Sequence, residues 1–300
     1  MTDNRETLTG NRQLSYVLIT PARNEAEFIE LTIQSMIAQT CLPLKWVIVS
    51  DGSTDGTDDI VKMHIQNYPW IEFVRTPERM ERHFAGKVYA FNAGYEKVKY
   101  LNYDIVGSLD ADISFDSEYF AFLLDKFIQD KQLGVAGTPF REGDKQYDYR
   151  FTNIEHVSGA CQLFRKECFE SIGGYTPLKV GGIDLVAVTT ARMKGWKTRT
   201  FTEKISLHHK MTQSDKNTRL KITFKSGYHD YLMGSSPLWQ IFRSIYQMTN
   251  KPFFLRGIYF FAGYFWAVLK CAERPVSKEF TKFRRQEQLS RLKAIFLRQT

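Results

Sequence analysis

The stretch Val106-Gly107-Ser108-Leu109-Asp110-Ala111-Asp112 is an apolar run that ends in two carboxylates one residue apart. Its first residues predict a short buried strand, which would place Asp110 and Asp112 at the C-terminal tip of that strand. In extended backbone, alternate side chains share a face, so the two carboxylates can converge on one object. Neighbouring carboxylates repel each other, and a hard divalent cation such as Mg²⁺ commonly neutralises them. A solvated acidic turn is the alternative interpretation.

Three further strands are predicted upstream by short apolar runs at residues 16–20, 46–50 and 71–74. Apolar residues at helical spacing predict helices over residues 27–39, 58–68, 87–95 and 114–133. Alternating strands and helices predict a mostly parallel α/β sheet, in which ligands bind beyond the carboxyl ends of the strands. Three polar clusters follow such strands, at residues 21–25, 51–55 and 110–112. We therefore expect these clusters to meet at one edge of the sheet.

The composition limits the classes of function. The chain of 300 residues carries a formal net charge of +8, which favours acidic partners such as a nucleotide diphosphate or anionic lipid headgroups. The cysteines are scattered without a C-x-x-C pair, which favours a reducing compartment over a zinc site or disulfide framework. No glycine-rich motif of the dinucleotide or P-loop type is present, which disfavours both enzyme classes. Neither an apolar signal-peptide core nor an uncharged apolar run long enough to span a membrane is evident.

Four motifs in a fixed order carry a resemblance to a known family. They are TPARNE at 20–25, SDGSTDGT at 50–57, Gly86-Lys87 with Ala90, Asn92 and Gly94, and Asp110-Ala111-Asp112. Together they resemble the signature of family 2 glycosyltransferases with the GT-A fold, over roughly residues 14–212. The resemblance implies a Rossmann-like, mostly parallel sheet flanked by helices, with a nucleotide-binding half at 14–113 and an acceptor half at 114–212. Residues 1–13 would be a polar lead-in, and residues 213–300 a helical, aromatic and basic extension.

The resemblance implies a nucleotide-sugar donor, most often a UDP-sugar in this family. The donor-binding residues would be Pro21, Ala22, Arg23, Asn24, Glu25, Asp51, Lys87, Asp110 and Ala111. Asp51 would accept a hydrogen bond from the base, Lys87 would lie near the base or phosphates, and Asp110 would face the ribose and metal. As alternatives, Asp51 is a turn residue bonded to nearby backbone, and Lys87 is a surface lysine at a helix end. Lys210 and Arg219 would meet the diphosphate or be solvated surface charges.

A divalent Mg²⁺ or Mn²⁺ is implied with the donor, because it stabilises the charge on a leaving diphosphate. Asp112 would ligate it together with Asp110, and in related enzymes a histidine at the end of a late strand completes the site. Here a strand predicted over residues 199–207 leads into His208 and His209. Adjacent residues on a strand point to opposite faces, so at most one of the two is a ligand. We prefer His208, with His209 as the alternate.

The catalytic base is expected within residues 181–185, GGIDL. The family usually carries Glu-Asp here, with the Asp as general base, and this chain departs from it by having Ile183 before Asp184. Inverting transfer needs a carboxylate to accept the proton of the attacking hydroxyl, and a helix start keeps a carboxylate ionised. Asp184 as a simple N-cap is the alternative. The missing Glu leaves the orientation of the acceptor open.

The C-terminal third changes character. Residues 253–271 are aromatic and apolar, and many basic residues follow them. This pattern is typical of an interfacial anchor on an anionic leaflet, which predicts a cytoplasmic protein peripheral on the inner face of the cell membrane. A helical subdomain or dimer interface with a solvated basic face is the alternative. Within the acceptor half, the polar residues 141–153 predict a mobile loop over the site.

The leading hypothesis is a metal-dependent, inverting glycosyltransferase. It would transfer a sugar to a hydroxyl of a saccharide or lipid-linked acceptor in cell-surface polysaccharide or glycolipid synthesis. A nucleotidyltransferase would need a phosphate-cradling glycine and lysine loop, which residues 21–25 lack. Two alternatives stay open: a catalytically impaired GT-A-fold partner protein, suggested by Ile183, and a nucleic-acid-binding module using the basic aromatic C-terminal region. No RNP, zinc or helix-turn-helix pattern is evident, so no nucleic-acid partner is expected.

Overall fold

The structure is a computed structural model that describes residues 14–79, 81, 83–143, 153–210 and 216–297. The strands in this part of the chain are β1 (Tyr16–Ala22), β2 (Lys45–Asp51), β3 (Ile71–Thr76), β4 (Ile105–Leu109), β5 (Ile113–Ser114), β6 (Leu133–Gly137), β7 (Phe140–Arg141), β8 (Cys161–Arg165), β9 (Lys197–Thr200) and β10 (Ser206–His208). The helices are α1 (Ile29–Ile37), α2 (Thr57–Ile65), α3 (Ala85–Val98), α4 (Tyr119–Gln129), α5 (Lys166–Ser171), α6 (Ile183–Met193), α7 (Lys216–Leu232), α8 (Pro237–Met248), α9 (Leu255–Leu269) and α10 (Lys278–Leu297).

A seven-stranded sheet with the order β3-β2-β1-β4-β8-β6-β9 forms the centre of the molecule. Every strand runs in the same direction except β8, which is antiparallel to both of its neighbours. The predicted mostly parallel α/β sheet is therefore confirmed. Since β1, β2 and β4 are parallel neighbours, their carboxyl ends lie at one edge, and the polar clusters that follow them meet there as expected.

The sheet is buried on both faces, which explains the continuous apolar runs in its strands. In β1, Val17 and Ile19 pack into one hydrophobic cluster, whereas Tyr16 and Leu18 pack into the other. All four side chains are at most 1% exposed. The period-2 alternation of an extended strand thus supplies two cores from a single apolar segment.

Two predicted elements have clearly different bounds in the structure. The helix predicted over 114–133 begins only at Tyr119, because Ile113 and Ser114 form β5 and pair with β10. The strand predicted over 199–207 was wrong: β9 ends at Thr200, and a polar turn separates it from β10, which belongs to a small sheet of order β5-β10-β7. Most of the loop predicted at 141–153 lies outside the described residues.

The C-terminal helices pack against the sheet domain. Tyr231 of α7, Tyr264 of α9 and Phe280 of α10 are buried in the same hydrophobic cluster as Val17 and Ile19 of β1. Arg192 of α6 also forms a two-pronged ion pair with Glu287 of α10, with distances of 2.6 and 3.0 Å. Among the helices that the structure describes, none is both long and apolar enough to cross a membrane.

Helices α7 and α9 approach each other closely at two glycines. A methyl group on Gly227 would overlap the carbonyl oxygen of Phe260, and one on Gly263 would overlap that of Phe224. Backbone cannot move aside as a flexible side chain can, so any side chain at these positions must force the two helices apart. Gly227 and Gly263 therefore set how closely α7 and α9 pack.

Replacing Gly227 with Ala should lower the free energy of unfolding by about 1–3 kcal/mol, because overpacking at the crossing outweighs the gain in helix propensity. Urea unfolding followed by circular dichroism measures the change. Ser226→Ala is the matched control, since Ser226 is its exposed neighbour on the same helix and bonds only to the preceding turn in the described structure. A Gly227→Ala variant as stable as the control would contradict the close crossing.

Candidate active site

Two adjoining cavities open at the edge of the sheet where β1, β2 and β4 end. The Asp51 cavity has a volume of about 230 Å³ and is lined by Pro21, Ala22, Arg23, Glu25, Asp51, Gly86, Lys87, Ala90, Asp110, Ala111 and Asp112. The Asp184 cavity has a volume of about 370 Å³ and is lined by Phe84, Lys87, Val88, Phe91, Ser108, Asp110, Gly159, Ala160, Gln162, Tyr175, Gly182, Ile183 and Asp184. Lys87 and Asp110 line both cavities, so they form the junction between them.

The Asp51 carboxylate is buried and held by cationic side chains. Arg79 donates hydrogen bonds to both of its oxygens, from Nε to Oδ1 at 3.1 Å and from a terminal nitrogen to Oδ2. Thr76 donates to Oδ1 at 3.2 Å, and Arg23 lies 3.7 Å from Oδ2. These side-chain contacts come from separate elements, unlike the local backbone bonds of the alternative interpretation. Asp51 is therefore part of a charged cluster that lines the cavity.

The loop after β1 is joined to the loop after β2. Asn24 has a left-handed backbone conformation with φ of 55°, and its side-chain oxygen accepts a hydrogen bond from the Thr54 N–H at 2.8 Å. The Asn24 N–H donates to the Ser53 hydroxyl at 3.1 Å. This conformation is uncommon outside glycine, and asparagine tolerates it better than most residues. Asn24 thus orders the cavity wall, while its neighbours Arg23 and Glu25 line the cavity.

Lys87 reaches from the first turn of α3 into the junction. Its ammonium group donates hydrogen bonds to Asp110 Oδ1 and, at 3.2 Å, to the Gly159 carbonyl oxygen. Burial lowers the pKa of Lys87, but the attraction of Asp110, Asp184 and Asp112 outweighs burial and leaves the pKa raised. Lys87 therefore stays charged, with carboxylates of both cavities around it. A lysine held in this way is unlike the solvated surface lysine of the alternative interpretation.

Acidic side chains accumulate in the Asp51 cavity. Burial raises the pKa of Asp110, Asp112 adds to the rise, and Lys87 opposes it. Burial also raises the pKa of Glu25, against a hydrogen bond of 2.6 Å from Lys210, and Asp112 and Asp110 raise it further. Negative charge gathered in this way favours a cationic ligand in the cavity. Lys210 therefore contacts a lining residue of the cavity, Glu25, although it is not itself among the described lining residues.

Asp112 and His208 lie together beside this cavity. The distance from His208 Nε2 to Asp112 Oδ2 is 3.3 Å, and both side chains are largely buried. His208 Nδ1 is buried and has no hydrogen-bond partner among the described residues. His209 instead bonds to the Ser114 hydroxyl at 2.8 Å. His208, the last residue of β10, is thus the histidine that faces Asp112, and His209 follows the strand.

The Asp112 carboxylate and the His208 Nε2 that faces it are ligand types that fit a divalent metal. Across the described residues, no group of three or more histidine, cysteine, aspartate or glutamate side chains is close enough together to hold a metal ion. Asp110 Oδ1 is engaged by Lys87.

Asp184 lies on the wall of the second cavity, at the start of α6. The N-cap of this helix is Gly182, with φ of 81°, so Asp184 is the second helical residue and its interpretation as the N-cap was wrong. Its side chain is 34% exposed. Gly159 packs directly against it, since a methyl group there would lie 3.2 Å from Asp184 Cβ. Because Lys87 binds the carbonyl of the same Gly159, the base candidate and the junction share one wall.

Sequence reasoning missed two residues that contact carboxylates of the site, Arg79 and His156. Arg79 lies in an irregular segment after β3 and reaches Asp51 across 28 positions of chain. His156 precedes β8, and its Nε2 lies 3.8 Å from Asp184 Oδ2. Neither residue belongs to a periodic element or a recognisable motif, so no signal in the sequence marks them. By contrast, the predicted Arg219 lies exposed on α7 and is not among the described lining residues of either cavity.

His156 should make folding pH-dependent. Burial lowers its pKa, Asp184 opposes the shift, and Arg192, Arg284 and Arg291 add to it. The unfolded chain therefore binds this proton more readily, and the folded state loses stability as the pH falls below about 6.5. In a His156→Gln variant, the difference in free energy of unfolding between about pH 7.5 and about pH 5.5 should be smaller than in the wild type. Urea unfolding at both pH values measures it, and a wider difference would contradict the lowered pKa.

The chain resembles known proteins in sequence and in fold. The family model described as "Glycosyl transferase family 2" matches residues 17–177, which is more than half of the chain. The chain belongs to glycosyl transferase family 2. The match extends from β1 to the segment before α6, and it contains the Asp51 cavity residues together with Asp110 and Asp112. Asp184 and His208 lie beyond its end.

Curated relatives of this family 2 chain include poly-beta-1,6-N-acetyl-D-glucosamine synthases. The protein from Staphylococcus aureus strain COL is 31% identical over 136 residues, which cover 45% of this chain and 31% of that protein. The protein from Staphylococcus epidermidis is 26% identical over 170 residues, which cover 50% of this chain and 39% of that protein. The chain therefore spans well under half of the length of these relatives.

Solved structures of other proteins resemble most of this family 2 chain in fold. The mannosyltransferase PcManGT from Pyrobaculum calidifontis, in complex with GDP-Man and Mn²⁺, has a TM-score of 0.57 at 19% identity, covering 95% of this chain and 81% of that chain. S. aureus TarS in complex with UDP-GlcNAc has a TM-score of 0.53 at 13% identity, covering 90% and 78%. At such identities the likeness shows the fold alone, and it confirms the predicted GT-A architecture.

Proposed function

We propose that this protein transfers a sugar, with inversion, from a nucleotide-diphosphate sugar to a hydroxyl group of an acceptor. The observation that carries the proposal is the junction of the two cavities at Lys87 and Asp110. A donor in the Asp51 cavity would bring its diphosphate towards Lys87. An acceptor in the Asp184 cavity would reach the same point from the side of the carboxylate. Glycosyl transfer requires this meeting point, because the bond from the sugar to the diphosphate breaks where the bond to the acceptor oxygen forms.

The Asp51 cavity is the proposed donor site. Residues 21–25 and Asp51 would hold the nucleoside, and Asp110 with Ala111 would face the ribose. Lys87 would stabilise the negative charge that develops on the leaving diphosphate. A UDP-sugar is our first candidate for the donor, supported by TarS, which was solved with UDP-GlcNAc. Lys210 could reach the diphosphate from its position beside Glu25, whereas the position of Arg219 gives that role no support.

Asp184 is the proposed general base. One of its carboxylate oxygens would accept the proton of the acceptor hydroxyl as that oxygen bonds to the anomeric carbon. The bond from the anomeric carbon to the diphosphate oxygen would break on the opposite side, which inverts the configuration. Asp184 lies in the first turn of α6, where the helix dipole interacts favourably with a negative charge. Its partial exposure leaves it accessible to an acceptor from the cavity.

Asp112 and His208 are the proposed protein ligands of a divalent cation, with Asp110 as a further one. A bound Mg²⁺ or Mn²⁺ would act as a Lewis acid that stabilises the charge on the diphosphate. Such a cation commonly keeps few protein ligands beside substrate phosphates and water, which suits a site built around one close pair. PcManGT, a protein of the same fold, was solved with Mn²⁺, which supports this cofactor class.

A panel of nucleotide sugars, each with and without Mn²⁺, tests the proposed function directly. The matching donor at about 100 times its Kd should stabilise the fold by about 2.7 kcal/mol, which corresponds to a rise in Tm of several degrees. It should also be hydrolysed slowly when no acceptor is present. Binding without any hydrolysis or transfer would favour the catalytically impaired partner. A panel in which no nucleotide sugar binds would contradict the proposal.

We further propose that the acceptor is a saccharide or a lipid-linked sugar and that the protein works on the cytoplasmic face of the cell membrane. The polysaccharide synthases among its relatives support the first part. The second part is supported by exposed apolar side chains on or beside the C-terminal helices, namely Leu238, Ile245, Phe254, Ile258, Trp266, Leu269, Phe296 and Leu297.

The protein should float with vesicles that contain anionic lipid and not with purely zwitterionic ones. Equal flotation with both would contradict an electrostatic contribution.

A further inference from the structure

A cationic groove lies between the segment that follows α9 and the first turns of α10, and it shares no described lining residue with the two cavities. It has a volume of about 750 Å³ and is lined by Arg274, Lys278, Lys282 and Arg285, together with small, polar and apolar side chains. None of the described lining residues is acidic. The groove thus gathers four positive charges around one space large enough for a small ligand.

This arrangement contrasts with the other basic residues of the C-terminal region. Arg243 forms an ion pair with Asp230 at 2.5 Å, and Arg192 is paired with Glu287. Within the described residues, no ion pair of this kind joins any of the four groove cations to a carboxylate. Glu279 lies in the first turn of α10 and attracts Lys278, but the two form no ion pair among the described residues.

Like charges on one helix face need a compensating partner. Lys278, Lys282 and Arg285 follow one another at spacings of four and three on α10, so they lie on the same face. Like charges at this spacing repel and destabilise a helix. An anion bound between them would remove this cost. The first turn of α10 adds partial positive charge, because the helix begins at Lys278.

The two arginines are held in place before any ligand arrives. Arg274 donates from Nε to the Tyr231 carbonyl at 3.0 Å, and its guanidinium group lies 4.1 Å from the centre of the Tyr231 ring. Arg285 donates from Nε to the Gly234 carbonyl at 3.3 Å. Both contacts use Nε and leave the terminal nitrogens for other acceptors. Ordered guanidinium groups match the oxygens of a phosphate.

Apolar surface adjoins the groove. Leu289 lines it and is 36% exposed. Leu269 is 77% exposed and precedes the lining residue Ala272 by three positions, so the chain keeps it within about 11 Å of the groove. A free phosphate would make no use of these side chains. A lipid would use them, because its acyl chains could cover them while its headgroup occupies the groove.

We propose that this groove binds the phosphate of an anionic membrane lipid. The inference rests on the membrane association proposed above and deepens it, because it adds a defined headgroup site to general electrostatic attraction. Such a site saturates and distinguishes between headgroups, whereas a diffuse basic surface does neither. Lys278, Lys282, Arg274 and Arg285 would contact the phosphate oxygens, and the neighbouring leucines would contact the acyl chains.

Binding of dihexanoyl phosphatidic acid, kept monomeric in solution, tests the site by calorimetry on the full-length protein. We expect saturable one-to-one binding, with inorganic phosphate and dihexanoyl phosphatidylcholine at least about tenfold weaker. The double variant Lys278→Gln/Lys282→Gln should weaken binding about tenfold or more. The matched control Lys225→Gln/Lys293→Gln removes the same charge from exposed positions outside the described groove lining, and it should bind like the wild type.

Three outcomes would overturn the proposal: no saturable binding, equally tight binding of inorganic phosphate, or equal weakening in both double variants. Hydrolysis of the nucleotide sugar is measured on the same proteins, since the groove is separate from both cavities. If the wild type hydrolyses the nucleotide sugar but does not bind the lipid, only the lipid-binding proposal fails. Intact lipid binding without any nucleotide-sugar binding contradicts the sugar transfer alone.

Discussion

Replacing Asp184 with Asn should reduce the turnover of sugar transfer by about 10²- to 10⁴-fold, the range that a general base contributes. The amide has nearly the shape of the carboxylate but cannot accept the proton of the acceptor hydroxyl. Donor affinity should stay the same, because Asp184 lines only the second cavity. The measurements are turnover with saturating donor and acceptor, and nucleotide-sugar affinity by calorimetry.

The fold of this variant should remain intact. Asp184 sits in the first turn of α6, where loss of its interaction with the helix dipole costs about 0.3–1 kcal/mol. Asp125→Asn makes the same chemical change at an exposed position on α4 and should leave turnover unaltered. If Asp184→Asn turns over at the wild-type rate, Asp184 is not the base. If this variant loses donor affinity, the donor binds in the Asp184 cavity and not in the Asp51 cavity as proposed.

Replacing Asp112 with Asn should remove most of the effect of Mn²⁺ on donor binding. Loss of a second-shell partner alone costs about 10- to 100-fold in metal affinity, so loss of a direct ligand should cost at least as much. Asp112 is buried beside His208, and the neutral amide keeps the size of the side chain while it weakens the ligand. The measurement is nucleotide-sugar affinity as a function of Mn²⁺ concentration.

The two adjacent histidines provide a matched pair for the same experiment. His208→Gln should reduce the Mn²⁺ effect as Asp112→Asn does, because His208 faces Asp112. His209→Gln should retain the effect, since His209 bonds to Ser114 instead. The reverse pattern would show that His209, and not His208, is the metal ligand. If Mn²⁺ has no effect on donor binding even in the wild type, the metal-dependent part of the proposal fails.

Local sequence patterns predicted most of the fold. Buried strands such as β1 and β2 need continuous apolar residues for their two faces, and those runs are visible directly in the sequence. The predictions were wrong where the structure depends on pairing with distant chain. Residues 113–114 form a strand only because β10 lies beside them, and the turn after Thr200 carries the chain from one sheet to another.

The site was predictable to the extent that motifs mark it. Asp51 ends β2, Asp110 follows β4 and Lys87 lies in the first turn of α3, and the structure brings the three to one edge. Arg79 and His156 were not predictable, because their partners Asp51 and Asp184 are distant in the chain. An arginine or a histidine in an irregular segment has no periodicity that could reveal its contact.

By itself, the sequence determined the α/β architecture, the family and the acidic clusters at the ends of the strands. Only the tertiary structure decided which groups share a space: Lys87 with Asp110 at the junction, His208 rather than His209 with Asp112, and the four cations of the groove. The physical reason is the range of the interactions. The hydrophobic pattern of a strand or helix is set by residues close together in the chain and can be read from the sequence. A charged side chain meets its partner only after the sheet and helices have brought distant segments together.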